Sequence, residues 1–90
     1  MGITIHGATG RLTYGSRLVA SFTEWELTDL PGQRRGIVRA RFTHRDLAYW
    51  GGPGPFQVRL DMGPGRALRG VARVQAEEPL ELIVEELHDG

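Results

Sequence analysis

Glycine and proline divide this chain into short segments of alternating polarity. Thirteen glycines and five prolines occur in 90 residues, and the stretches between them carry apolar side chains at every second position. A period of two is typical of half-buried strands joined by tight turns. The sequence therefore predicts an all-β fold, a small six-stranded antiparallel barrel or sandwich, with residues 1–90 forming one domain.

The turn signals place the strands within the chain. The six predicted strands cover residues 10–14, 18–28, 35–42, 56–62, 68–74 and 80–85. Gly15-Ser16 predicts a type II′ hairpin turn, and Pro31-Gly32 occupies the centre of a predicted type II turn. Between the third and fourth strands, Thr43 is a suitable N-cap for one short helix over His44–Trp50, which the glycines and prolines of residues 51–55 would end.

Opposite charges suggest how the strands pair. A two-residue hairpin at Pro31-Gly32 sets Arg39 opposite Glu24 and Val38 opposite Trp25. A hairpin centred on Glu77 sets Val74 opposite Leu80, Arg73 opposite Glu81, Val71 opposite Ile83, and Arg69 opposite Glu85. Such pairs stabilise a sheet by about 0.2–1 kcal/mol each. This interpretation gives Arg39, Arg69 and Arg73 structural partners.

The second strand changes phase near Thr23. Phe22 belongs to one alternating set and Trp25 to the other. A β-bulge near Thr23 would return both rings to one core and bend the strand, as closure of a barrel often requires. The alternative is that Phe22 faces outward into a partner.

No residue pattern predicts catalysis, a cofactor or a metal. The chain has no cysteine, and His6, His44 and His88 do not have the spacing of metal ligands. Ser16 lies in a turn and Ser21 in mid-strand, without the flanking residues of a nucleophile elbow. We expect a protein that is not an enzyme.

The charges balance, which argues against nucleic acid as a partner. Eleven basic residues, all arginine, match eleven acidic ones, so no overall field attracts a polyanion. One segment combines cations with an aromatic ring and is the alternative nucleic-acid face: Arg34, Arg35, Arg39 and Arg41, followed by Phe42. If the protein is a binding module, the alternative to nucleic acid at this face is a small ligand at the mouth of the barrel.

No apolar run reaches the roughly 18 residues of a membrane span, and no signal-peptide pattern is present, so we expect a soluble protein.

Outward-facing apolar residues are the candidate contact surface. Ile37, Val71 and Ile83 interrupt polar rows, and Tyr49 and Trp50 precede a loop rich in glycine and proline. If these residues cluster in space they form a subunit interface, because interfaces are enriched in aromatic and arginine side chains. If they are scattered they are ordinary surface residues, and Trp50 covers one end of the barrel.

Two segments near the start of the chain carry a resemblance to a known family. They are the stretch Gly7-Ala8-Thr9-Gly10-Arg11-Leu12-Thr13-Tyr14-Gly15 and the strand from Leu18 through Phe22 and Trp25 to Leu27. Together they resemble the start of small phage tail-tube and related virion β-barrel proteins. The resemblance covers residues 7–28. It implies a structural subunit of an assembly, such as a tail tube, an adaptor or a capsid decoration. We therefore expect a homo-oligomer that contacts copies of itself or other assembly subunits, located in a virion, with a cytoplasmic binding module as the alternative.

Overall fold

Six antiparallel strands form a closed barrel. The computed structural model describes residues 4–30, 35–46 and 54–89. The strands are β1 (Thr4–Tyr14), β2 (Arg17–Leu30), β3 (Arg35–Arg45), β4 (Phe56–Gly63), β5 (Arg66–Glu77) and β6 (Leu80–Asp89). Their order is β1-β2-β3-β6-β5-β4, and β4 pairs with β1 to close the barrel. The predicted six-stranded all-β fold is confirmed, and of the two arrangements left open the barrel is the correct one.

Apolar side chains from every strand fill the interior. The largest fully buried ones are Trp25, Phe22, Leu12, Leu27, Leu60, Leu80, Leu82, Val19, Val38 and Val84, and Ala72 of β5 is also fully buried. Among the residues described, no polar or charged side chain is buried. All charged groups in that part of the chain therefore lie on the outer surface or at the barrel ends.

Two aromatic rings of β2 lie over two glycines of β1. Gly7 is directly opposite Trp25, and Gly10 is directly opposite Phe22. A Cβ atom at residue 7 would lie 2.1 Å from Cζ2 of Trp25, and one at residue 10 would lie 2.3 Å from Cε2 of Phe22. The Trp25 indole donates a hydrogen bond from Nε1 to the carbonyl oxygen of Thr9 at 2.9 Å, which fixes the ring in this position.

The predicted bulge in β2 is present. The register between β2 and β3 shifts between Thr23 and Glu26, and Glu24 adopts a positive φ of 53°. The extra residue restores Phe22 and Trp25 to the same side of the strand, where each is 1% exposed. The alternative in which Phe22 faces outward into a partner is wrong.

The expected register of β2 and β3 is wrong. The structure pairs Arg39 with Glu26 and Val38 with Leu27. The shift arises because Leu30 pairs with Arg35, so the connection is longer than the two-residue turn assumed from Pro31-Gly32. The predicted turn itself falls on residues 31–34, outside the described ranges.

The expected register of β5 and β6 is also wrong. The structure pairs Arg69 with His88, Val71 with Glu85, Arg73 with Ile83, and Val74 with Leu82. Glu77 pairs with Leu80, so the turn is centred between Glu78 and Pro79 instead of on Glu77, and a further shift lies between Val74 and Ala76. Neither Arg69 nor Arg73 has the carboxylate partner that the sequence suggested.

The predicted short helix begins where the structure has a strand. His44 pairs with Ser21 and Arg45 pairs with Ala20, so β3 continues through both residues. The backbone N–H of Asp46 donates to the carbonyl oxygen of Val19 at 2.8 Å. Because β2 is long enough to offer these partners, strand pairing prevails over the local capping signal. Residues 47–50 of the predicted helix lie outside the described ranges.

Candidate functional site

Three of the predicted interface residues lie on the outer face of the barrel, and two of them face each other. Ile37 of β3 lies directly opposite Ile83 of β6, and Val71 of β5 lies opposite Glu85, two positions along β6 from Ile83. Their side chains point outward because each is followed by a buried neighbour in the strand. Ile37 and Ile83 therefore form one partly exposed apolar pair, which we call the apolar strip. Val71 lies one strand further along, beside Glu85, and also lines a groove described below. The other two candidates, Tyr49 and Trp50, lie outside the described residues.

Ion pairs border the apolar strip on both sides. Nε of Arg35 lies 3.1 Å from Oε1 of Glu85, and Nε of Arg39 lies 3.3 Å from Oε2 of Glu81. In both pairs β3 contributes the arginine and β6 the glutamate. The outer face of β3 therefore carries Arg35, Ile37 and Arg39 in that order. Beside them, the outer face of β6 carries Glu85, Ile83 and Glu81. We call these two rows of side chains the columns.

The arginines of the alternative nucleic-acid face are engaged by carboxylates. Arg35 and Arg39 bind the two β6 glutamates, and Nη1 of Arg41 lies 3.3 Å from Oε2 of Glu24. Arg34 lies outside the described residues. A carboxylate beside each cation repels phosphate, so this face offers little net attraction for a nucleic-acid backbone.

A second surface brings together basic residues that the sequence analysis did not group. Arg11, Arg59 and Arg69 are direct partners across β1, β4 and β5, and His88 of β6 is the direct partner of Arg69. They line a groove of about 700 Å³ on the outside of the barrel. We call it the arginine groove. Nothing local predicts it, because the four residues come from four strands whose order and register only the closed barrel reveals.

An acidic residue at a strained backbone position completes the groove. Glu86 lines it together with Thr13 and Gln57, and its φ is 56°, in the left-handed region that non-glycine residues rarely adopt. The register of β5 and β6 shifts at this point, between Arg69 and Val71. A bulge of this kind bends the strand and redirects side chains, and here it lies at the edge of the groove.

Comparison of the chain with protein-family models, with curated proteins and with solved structures finds no match. Within the described ranges, no three side chains of the His, Asp or Glu type are placed to hold a metal ion. No helix in that part of the chain is long and apolar enough to cross a membrane. The function must therefore be argued from the two outer surfaces.

Proposed function

We propose that this protein is a non-enzymatic subunit of a homo-oligomeric assembly, and that two copies pack together through the apolar strip. The observation that carries the proposal is the pair of columns on β3 and β6. Ile37 and Ile83 form the centre, and an Arg-Glu pair lies on either side of them. An apolar centre with a charged rim is the usual anatomy of a protein interface.

The two columns are complementary to a second copy of themselves. A two-fold axis parallel to the strands, between β3 and β6, would place β3 of one copy over β6 of the other. Each arginine of one copy would then lie over a glutamate of its partner, with the isoleucines stacked between them. Packed sheets lie about 10 Å apart with nearly aligned strands, a distance that these side chains can span from both sides. A contact of this type closes on itself and is the commonest symmetry of homo-oligomers.

The arginines have donors left for such a contact. Arg35 and Arg39 reach their own glutamates through Nε, so the terminal nitrogens can bind a carboxylate of the second copy. Guanidinium groups are suited to this bridging role because their five N–H donors lie in one rigid plane. The intramolecular pairs thus fix the arginines in the orientation that the interface needs.

The proposal of a role without catalysis rests on the sequence, in which no residue pattern predicts a nucleophile or a metal site. We propose a virion as the place of the assembly, on the resemblance of residues 7–28 to phage tail-tube proteins. A cytoplasmic binding module is the second candidate, and the arginine groove is the feature that favours it.

Light scattering after size exclusion tests self-association. We expect the wild type at micromolar concentration to have a mass of about 20 kDa or more, at least twice the 10.0 kDa of one chain. Ile83→Lys places a charge at the centre of the apolar strip and should return the mass to that of a monomer. Leu18→Lys is the matched control, because Leu18 is 42% exposed and lies outside the strip. A monomeric wild type, or equal loss of assembly in both variants, would refute the proposal.

A charge-swap pair tests the two-fold geometry. A chain with Arg35→Glu and Arg39→Glu carries only carboxylates in its columns, and one with Glu81→Arg and Glu85→Arg carries only guanidinium groups. Each should be monomeric alone, because like charges would face each other across the axis. An equimolar mixture should recover a dimer that contains one chain of each kind. Folded variants that fail to associate when mixed would exclude this arrangement of the columns.

A further inference from the structure

The arginine groove concentrates positive charge in a way that folding alone does not favour. Arg11 faces Arg59 and Arg59 faces Arg69 in directly opposed positions. Like charges in such positions destabilise a sheet. Among the described residues of this row, Arg59 alone forms an ion pair: its Nε lies 3.1 Å from Oδ1 of Asp61, and Oδ2 of Asp61 already accepts a hydrogen bond from Thr9.

The remaining cations of the row lack an acidic partner. Within the described ranges, neither Arg11 nor Arg69 takes part in an ion pair. Elsewhere on the barrel, a carboxylate lies within 4.0 Å of Arg17, Arg35, Arg39, Arg41 and Arg45. Arg66 and Arg73 have no ion pair among the described residues, but they face Gly63 and Ile83 instead of another arginine. The contrast makes this row the place where an external anion would relieve repulsion. We propose that the arginine groove binds a small ligand carrying one or two phosphate groups, held by the guanidinium groups of Arg11 and Arg69.

Gly70 lies beside Arg69 and is part of the lining of the groove. A Cβ atom at this position would lie 2.6 Å from the carbonyl oxygen of Glu85 and 3.1 Å from Cδ2 of Leu87, so only glycine fits the shifted register there. These atoms occupy the space that a side chain would take, so residue 70 contributes only backbone to the lining of the groove. A groove of about 700 Å³ is within the size range of small-ligand sites.

The extent of the basic row favours a compact ligand over a polynucleotide. On β2 the next partner of Arg11 is Ser21, so the charged row covers only β1, β4 and β5 before it reaches His88 on β6. At roughly 4.8 Å between strands, the row spans about 15 Å. A nucleic-acid backbone needs a longer basic track, whereas one or two phosphate groups fit within this length.

Glu86 and Gln57 indicate what accompanies the phosphate. The carboxylate of Glu86 lines the same groove and can accept hydrogen bonds from hydroxyl or amino groups. The amide of Gln57 can both donate and accept. The ligand class that fits is therefore a phosphate ester whose remainder carries hydroxyl or amino groups. This inference deepens the second candidate function and does not require self-association.

Titration with inorganic pyrophosphate at low ionic strength tests the site. We expect saturable binding with a dissociation constant of about 1 mM or below. Binding is measured from the amide chemical shifts in the NMR spectrum and by calorimetry. Arg11→Gln and Arg69→Gln should each weaken binding about tenfold or more, the loss expected when one charge-assisted hydrogen bond is removed. Both variants should remain folded, because neither arginine has an ion pair to lose. The control is Arg66→Gln, which removes the same charge from an exposed position of β5 outside the groove.

The arms of the experiment separate the possible outcomes. Weakening confined to Arg11 and Arg69, with amide shifts at Gly70 and Glu86, supports the inference. No saturable binding, or an equal loss in Arg66→Gln, overturns it, because the attraction would then be non-specific. A single-stranded oligothymidine that binds where pyrophosphate does not would also overturn it and would assign the groove to a polynucleotide. The oligomeric mass of Arg11→Gln should equal that of the wild type, so failure here is distinguishable from failure of self-association.

Discussion

Replacement of Gly7 by alanine tests how β1 and β2 fit together. Gly7 lies directly opposite Trp25, whose side chain is 1% exposed. A Cβ atom at residue 7 would lie 2.1 Å from Cζ2 and 2.2 Å from Cε2 of the indole. The ring cannot easily move away, because its Nε1 donates to Thr9 and because the core surrounds it. Gly7→Ala must therefore displace either the tryptophan or the strand.

The magnitude follows from two opposing effects. Forcing an extra carbon into a packed core costs about 1–3 kcal/mol. Replacing glycine by alanine within a strand otherwise returns roughly 0.5–1 kcal/mol, because the unfolded chain loses freedom. The net loss for Gly7→Ala should be about 1–2 kcal/mol. In a Trp25→Leu background the obstructing ring is absent, so the same change should be neutral or stabilising by about 0.5 kcal/mol.

Urea denaturation of the four chains of this cycle measures the coupling. With a slope of about 1.5 kcal/mol per molar urea, Gly7→Ala should lower the midpoint by roughly 1 M in the wild-type background, and it should not lower it in the Trp25→Leu background. Gly10→Ala serves as the comparison, because its obstacle is the ring of Phe22, and it should remain costly when Trp25 is replaced. If Gly7→Ala has the same cost in both backgrounds, the ring does not set the limit and the reasoning is wrong.

Two further predictions concern charge repulsion and backbone strain. Arg11→Gln removes the positive charge that faces Arg59, so in the absence of ligand it should raise the melting temperature by about 2–4 °C, equivalent to about 0.5 kcal/mol. A lower melting temperature would mean that packing of the arginine side chain outweighs the repulsion. Glu24 has a φ of 53°, a conformation that asparagine tolerates and a β-branched residue does not, so Glu24→Val should be less stable than Glu24→Asn by about 1–2 kcal/mol in urea denaturation. Glu24→Val and Glu24→Asn both remove the exposed ion pair to Arg41, so the loss of this pair cancels when the two variants are compared. Equal stabilities of the two variants would contradict the assigned backbone strain.

Local signals in the sequence were sufficient for the strands and for the bulge. Strict alternation located the six strands, since a half-buried strand needs one apolar face. The change of phase between Phe22 and Trp25 located the bulge for the same reason: two large aromatic side chains of one strand both require burial. The N-cap signal at Thr43 misled, because His44 and Arg45 pair with Ser21 and Ala20 of the neighbouring strand and so continue the β2–β3 ladder.

The registers of the strand pairs could not be predicted from the sequence, because they depend on the exact centre of each turn. A displacement of the β5–β6 turn from Glu77 to Glu78-Pro79 changes every facing residue, so that Arg69 meets His88 instead of a glutamate. Barrel closure was equally inaccessible, since pairing of β3 with β6 and of β1 with β4 joins segments that are distant in sequence. The apolar strip depends on the first of these closures and the arginine groove on the second.

The same closure explains how a chain of zero net charge can carry a concentrated basic surface. Between β3 and β6 opposite charges are paired, because Arg35 and Arg39 of β3 face glutamates of β6. Across β1, β4 and β5, one row of facing residues consists of Arg11, Arg59 and Arg69, and of these Arg59 alone forms an ion pair among the described residues. Overall charge therefore argues against a polyanion that covers the whole molecule but says nothing about a ligand of groove size. A small barrel can in this way combine a row of matched ion pairs between two strands with a groove rich in arginine, and the register of the strands decides which arginines belong to each.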